Sequence, residues 1–364
     1  MIRKSIIFTD VPLLKAFQYR EIFQLVPFFY FEGMPFSKYS RHFPAVLEYE
    51  CEDKEEALPI IEAELLNRGL SEDVVKLGRT LPESQRVKRE ILHLLTALTN
   101  YCFFEYNASV GYYGVQAPMD DFSTLSPKET EKFNNQISHW TIPAYLYPKV
   151  GELLQQQTFT DCTEFCEEAA NFLDYYTNNP DANHQKQIQF PPAMEICLDR
   201  YLAMRGDMRK GVRHCISLLA DGVEFFDYKR SVSTMATIAS IEGMANIDFK
   251  LYGTADEKKR PTARFVRYLK RYVAGRSEEK YKQYYSRRGE ICHDGTIFLG
   301  DDDLYGDINE QDRDWLLRLE IQQAARIALY NWLRRKLNNT PTRSSPLYEI
   351  TELFIKKYRR TNVQ

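Results

Sequence analysis

The stretch "TNNPDANHQKQIQFPPAM", Thr177 to Met194, decides how the rest of the chain is read. It is polar, carries Asn-Pro and Pro-Pro, and lacks apolar periodicity, so it reads as a linker between two differently built regions. With 364 residues, 44% of them hydrophobic and 27% charged, the chain has the length for two domains and the composition for folded cores.

On the C-terminal side the pattern is helical. "MEICLDRYLAM" aligns Met194, Cys197, Leu198, Tyr201 and Leu202, and "VRHCISLLADGVEFF" aligns Val212, Cys215, Ile216, Leu219, Val223 and Phe226. "SVSTMATIASIEGMANI" places Met235, Ile238 and Ile241 on one flank. "RFVRYLKRYV" presents Phe265, Leu269, Tyr272 and Val273, and the last long segment presents Leu317, Ile321, Ala324, Ala328 and Trp332. Each is an i, i+3, i+4 recurrence that buries one face, and together they predict an antiparallel bundle of about five helices.

On the N-terminal side the signals are mixed. "KSIIF", "FFYF" and "AVLEYEC" read as strands, and "EEALPIIEAELLNRG" and "SQRVKREILHLLTALTN" as helices, the first closing on Gly69. "YCFFEYNASVGYYGVQAP" predicts a hairpin, with helical segments near Lys128–Gln136 and Thr163–Tyr176. The expected fold is an α+β domain over residues 1–180, an all-α helical bundle over 194–340, and a basic helix or tail over 341–364, predominantly helical overall.

The opening "MIRKSIIFTDVPLLKAF" is interrupted by Thr9-Asp10 and Pro12, which makes a poor signal peptide, and no apolar run is long enough for a membrane helix. The seven cysteines include no CxxC, and the expected state is reduced thiols in a cytoplasmic protein. A net charge of -3 argues against a globally basic nucleic-acid coat protein, without bearing on local patches.

Within the helical half, "KYKQYYSRRGEICHDGTIF", Lys280 to Phe298, carries the chemistry. Arg288 stands five residues before His293, and Asp294-Gly295 ends the helix there. Spacing alone decides nothing, because Arg209 and His214 repeat it inside a strong helical stripe, where a histidine reads as structural. On an uninterrupted helix five residues correspond to about 140° of rotation, so a shared Arg288–His293 site requires the helix to loosen at Cys292–Gly295.

The approach to the motif is basic. Between Asp256 and Arg288 twelve Lys or Arg stand against Asp256, Glu257, Glu278 and Glu279, a concentration that attracts phosphates. The candidate RNA contacts are Arg287, Arg267, Arg271, Lys280 and Lys282, with Tyr284 and Tyr285 as stacking faces for unpaired bases. Glu290 and Asp294 are candidates for tuning His293. The run Asp301–Asp303 sits in a Gly-flanked loop, where adjacent carboxylates do not converge on a cation, so a solvated loop and no metal are expected.

"YSRRGEICHDG" resembles the Arg-x4–6-His motif of the HEPN superfamily, with tyrosine three or four residues upstream, an aliphatic residue two before the histidine and glycine shortly after. Behind "STMATIASIEGMANI", with its aliphatic-Glu pair, and "TARFVRYLKRYV", it is most similar to Apea-like HEPN domains, over roughly Met194–Leu337. An acidic insertion, "GDDDLYGDINEQDRD", departs from the pattern. The resemblance implies metal-independent RNA cleavage without a cofactor, by attack of a ribose 2′-OH on the adjacent phosphodiester. His293 would move protons and Arg288 would stabilise charge on phosphorus. It also implies a homodimer with a composite cleft, and a bacterial toxin or antiviral defence role with an antitoxin or a phage-derived trigger. The alternatives are a non-catalytic HEPN-type module that binds RNA, nucleotide or a nucleotidyltransferase partner, and a helical interaction protein whose Arg–His spacing is accidental.

Overall fold

The computed structural model describes residues 2–27, 43–52, 59–67, 69, 72–105, 113–116, 140–143, 155–156, 158–170, 172–177, 188–253, 260–273, 275–298, 301 and 308–335. The protein is of mixed α+β class and mostly helical. It divides into two compact units, neither of them continuous in sequence: Met1–Leu92, Phe103–Glu167 and Pro180–Gln189 form one, and His93–Cys102, Glu168–Asn179 and Phe190–Gln364 the other.

In the first unit, β-branched and aromatic runs form β1 (Ile2–Thr9), β2 (Phe17–Tyr19), β3 (Phe23–Pro27) and β4 (Phe43–Glu50). They pair antiparallel in the order β2-β3-β4-β1, with β5 (Phe103–Phe104) and β8 (Gln155–Gln156) also on β1. The β1–β4 register runs from Ile2 opposite Glu50 to Thr9 opposite Phe43. Glu48 is buried in β4 but satisfied: Lys4 lies 3.3 Å away and the Thr160 N–H donates to it at 2.8 Å. Helices α1 (Pro59–Asn67) and α2 (Glu72–Leu98) follow, and Gly69 takes a left-handed φ of 74° just beyond α1. Ser84 of α2 bonds the Tyr49 hydroxyl at 2.7 Å, and Lys88 bonds Ser5 at 3.3 Å.

Two local expectations fail in this unit. The predicted hairpin does not form, because β5 pairs with β1 while β6 (Tyr113–Gln116) pairs in parallel with β7 (Trp140–Pro143). The helix expected over Thr163–Tyr176 is confined to α3 (Phe172–Thr177), in the second unit. Before it the chain is held extended by bridges from Phe165 to Ala16 and from Glu168 to Phe190. The "FFYF" strand, the Lys128–Gln136 helix and the 341–364 tail lie outside the described residues.

The second unit is built on α4 (Met194–Ala203), α5 (Gly206–Glu224), α6 (Arg230–Tyr252), α7 (Pro261–Tyr272), α8 (Glu278–His293) and α9 (Ile308–Arg334). Most of the expected stripe residues are buried, from Met194 and Cys197 to Ala328 and Trp332; Leu202, Val223, Met235 and Leu317 are only partly so. Each large apolar side chain taken fully out of water contributes about 1.5–3 kcal/mol. Central α6 packs against α5, α7, α8 and α9. Its contact with α5 is made by small residues: Ser233 Oγ donates to the Gly222 carbonyl at 2.5 Å and Ser240 Oγ to the Cys215 carbonyl at 2.6 Å. A Cβ on Gly222 would collide with Thr237, and one on Gly243 with the Cys215 sulfur. No described helix is long and apolar enough to cross a membrane.

Candidate active site

Helix α8 begins at Ser277, whose hydroxyl accepts from the Lys280 N–H at 3.2 Å, with Glu278 and Glu279 in its first turn. It ends where the sequence places a stop. Asp294 is the C-cap, Gly295 has a φ of 68°, and the Thr296 N–H returns to the Glu290 carbonyl at 3.1 Å.

The helix is unbroken through His293, so the loosening expected at Cys292–Gly295 starts too late to turn the imidazole. Arg288 and His293 therefore leave the helix about 140° apart. Arg288 faces α6, where its Nε lies 3.0 Å from Glu242 Oε2. One turn further on, the Cys292 sulfur is 3.7 Å from the Met235 sulfur, which marks the same face of α8. His293 is exposed and makes no hydrogen bond or ion pair with the described residues.

Glu242 is the site residue missed when roles were assigned from the sequence. Its signal was the aliphatic-Glu pair of the α6 segment, which carries no role until α8 is packed against it. By taking the Nε of Arg288 it aims the guanidinium while leaving the two terminal nitrogens for a planar anion.

The neighbours of the pair are otherwise engaged. Arg287 donates to Glu290 at 2.7 Å and stacks 4.3 Å above the buried Phe298 ring. Glu290 thus serves Arg287 rather than His293. Asp294 acts through its backbone as a cap.

Much of the basic patch is ion-paired within the unit, with cations sharing single carboxylates, so the patch keeps a net positive charge. Arg267 and Arg271 both approach the buried Asp248, at 3.5 and 3.4 Å, and Arg271 also lies over the Tyr252 ring. Tyr272 donates to the same carboxylate at 2.8 Å; burial, reinforced by Asp248, holds its hydroxyl well above the ordinary phenol range. Lys280 and Arg276 converge on Glu320, each at 3.1 Å, and the Tyr284 hydroxyl joins them at 3.1 Å. Lys282 pairs with Glu278 at 2.8 Å on the solvent face.

Tyr284 is 0% exposed and cannot stack on a base, which corrects its assignment as an RNA contact. Its burial follows from its place on the α8 face that meets α9. Tyr285 is half-buried, edge-on to Phe265 at 5.3 Å. Burial and the Glu242 carboxylate raise its pKa. His214, expected to be structural inside its stripe, is exposed on α5 instead.

Of the acidic insertion, Asp301 and the residues from Ile308 are described and are held in place, while Asp302 and Asp303 lie outside the described residues. Asp301 caps α6, accepting from the Arg230 N–H at 2.9 Å and the Ser231 N–H at 2.6 Å, and Phe298 N–H donates to Ser231 Oγ at 2.9 Å. From Ile308 onward the insertion forms the first turns of α9.

No family model, curated protein or solved structure matches the chain.

Proposed function

We propose that the protein is a metal-independent endoribonuclease of HEPN type, acting as a homodimer in a toxin or antiviral defence role. The observation that carries this reading is an exposed, unpartnered imidazole at the end of α8, following an arginine that Glu242 holds by its Nε. In the reaction one imidazole takes the ribose 2′-OH proton as the oxygen attacks phosphorus. A second imidazole protonates the departing 5′-oxygen, and the fragments end in a 2′,3′-cyclic phosphate and a 5′-OH. Each proton transfer is worth about 10²–10⁴-fold in rate. Arg288 offers its terminal nitrogens to the charge that builds on the phosphoryl oxygens. DNA, without the 2′-OH, resists.

The test is incubation of the full chain with single-stranded RNA in EDTA. Cyclic-phosphate ends should appear with wild type, and His293→Ala should lose at least about 10²-fold in rate while keeping its circular dichroism. An unchanged rate for His293→Ala would refute the assignment.

A second reading is a non-catalytic HEPN-type module that pairs with an antitoxin-like partner; one observation favours it over RNA cleavage, that the candidate RNA contacts Arg267, Arg271, Lys280 and Lys282 are all in intramolecular ion pairs. It predicts no new RNA ends from the purified chain, with wild type and His293→Ala alike.

A further inference from the structure

We propose that the first turn of α6 is a phosphate subsite for single-stranded RNA, closed in this structure by the Asp301 carboxylate, with Tyr228 beside it as the stacking face for the adjoining base. The inference rests on the nuclease reading and adds where substrate is held away from Arg288 and His293.

The carboxylate marks the position. Lys229, the N-cap of α6, gives the helix end no side-chain bond. The end is closed from 70 residues further along the chain. One oxygen of Asp301 accepts from the Arg230 N–H at 2.9 Å and the other from the Ser231 N–H at 2.6 Å. Two oxygens of one anion on successive N–H groups is the seat a phosphate takes at a helix N-terminus. The Ser231 hydroxyl is a third donor there.

Beside this seat lies a buried cation without a close counter-ion. Arg318 of α9 is 4% exposed, donates to the Phe226 carbonyl, and has no partner for its Nε among the described residues. Its guanidinium lies 4.5 Å from the Phe226 ring and 5.8 Å from the ring of Phe298, whose N–H donates to Ser231 Oγ. Arg230 repels it and Asp227, Asp301 and Asp314 attract it, all without forming an ion pair with it. A buried charge lacking a paired partner is costly, and it favours an anion at the neighbouring helix end.

The surface next to the seat is apolar and open. Tyr228, two residues before α6, is 60% exposed, and Phe225 steadies its ring edge-on at 5.8 Å. Val232 and Ile297 are also exposed, Ile297 being tied to the α6 end through the Phe298–Ser231 bond. An aromatic ring with apolar neighbours beside an oxyanion seat matches the two halves of a nucleotide, and stacking accepts any unpaired base. The candidate site is near: Met235, about 6 Å along α6 from Ser231, touches Cys292, the neighbour of His293.

The test is isothermal titration of the full chain with inorganic phosphate and with adenosine 5′-monophosphate. Asp301→Ala should bind both at least about tenfold more tightly than wild type, because the tethered carboxylate no longer competes. Tyr228→Ala, which removes an exposed side chain, should weaken the monophosphate about tenfold and leave inorganic phosphate unchanged. Binding of neither probe to an Asp301→Ala chain that keeps wild-type circular dichroism would overturn the proposal, as would a Tyr228→Ala chain that binds like its parent. Should Asp301→Ala not fold, the Tyr228→Ala comparison in wild type decides alone.

A short single-stranded RNA should displace the bound monophosphate, and a monophosphate that RNA does not displace overturns the substrate assignment. Cleavage is read separately: Tyr228→Ala should raise KM for RNA about tenfold with kcat little changed. A subsite that binds RNA in a chain that never cuts it would sink the nuclease reading and leave the subsite standing.

Discussion

Arg288 and Glu242 form the contact on which the candidate site turns. The pair is partly exposed, with side-chain exposures of 34% and 20%, so screening keeps its contribution to stability to about 1 kcal/mol or less. Its weight lies in orientation. On the proposed nuclease reading, Glu242→Gln should lower the RNA cleavage rate by about tenfold or more while shifting the unfolding midpoint little, because a misaimed phosphate contact costs far more in the transition state than in the fold. Steady-state kinetics beside a denaturant titration separates the two effects. A large stability loss with unchanged cleavage would instead make Glu242 purely structural. The arginine–histidine spacing and the stop after His293 were legible in the sequence. The direction of each side chain was not, because it depends on which face of α8 meets α6.

At the scale of elements, the α5–α6 contact departs most from its sequence pattern. The apolar flank of Met235, Ile238 and Ile241 predicted a greasy interface, yet Ser231, Ser233, Thr234, Thr237 and Ser240 are all buried. The hydroxyls of Ser233, Thr234, Thr237 and Ser240 donate to backbone carbonyls and Ser231 Oγ accepts from the Phe298 N–H, so their burial leaves polar atoms satisfied. Close approach needs the two glycines. Gly222→Ala should destabilise the protein by about 1–3 kcal/mol, read from urea unfolding, because the added methyl meets Thr237 and the Ser233 carbonyl.

The cap on α6 predicts a pH dependence. Burial works against ionisation of Asp301, but bonds from Ser231 and Arg230 outweigh it and hold its carboxyl below its ordinary value. A depressed folded pKa means stability that is present above the unfolded value and lost as pH falls through the folded one. Asp301→Asn should therefore cost about 0.5–1 kcal/mol near neutrality, and the difference from wild type should shrink below about pH 4. A gap that persists at low pH would show that the cap acts without its charge.

For the whole molecule, the linear division at the Thr177–Met194 linker is only part of the architecture. Residues 93–102 and 168–179 belong to the same unit as the C-terminal helices. The Tyr176 hydroxyl donates to the Leu98 carbonyl at 2.5 Å, Arg326 donates to the Thr96 carbonyl at 3.4 Å, and Phe172 stacks against Tyr330 at 4.8 Å. A fragment beginning at Met194 lacks these partners and should melt several degrees below the full chain's helical transition, or aggregate, exposing Tyr330 and leaving Arg326 without that acceptor. Equal melting temperatures would show that the added segments are decorative. The sequence by itself determined the helical stripes, the strands around Ile6 and Leu47, the stop after His293 and the mixed class, since each follows from local periodicity or from one residue's backbone freedom. Only the tertiary structure decided that Tyr284 is core, that Arg267 and Arg271 pair with Asp248 and Arg276 and Lys280 with Glu320, and that Arg288 turns to Glu242 while His293 does not. Those outcomes depend on contacts between residues far apart in the chain, and a one-dimensional pattern of charges and apolar positions does not say which face meets which.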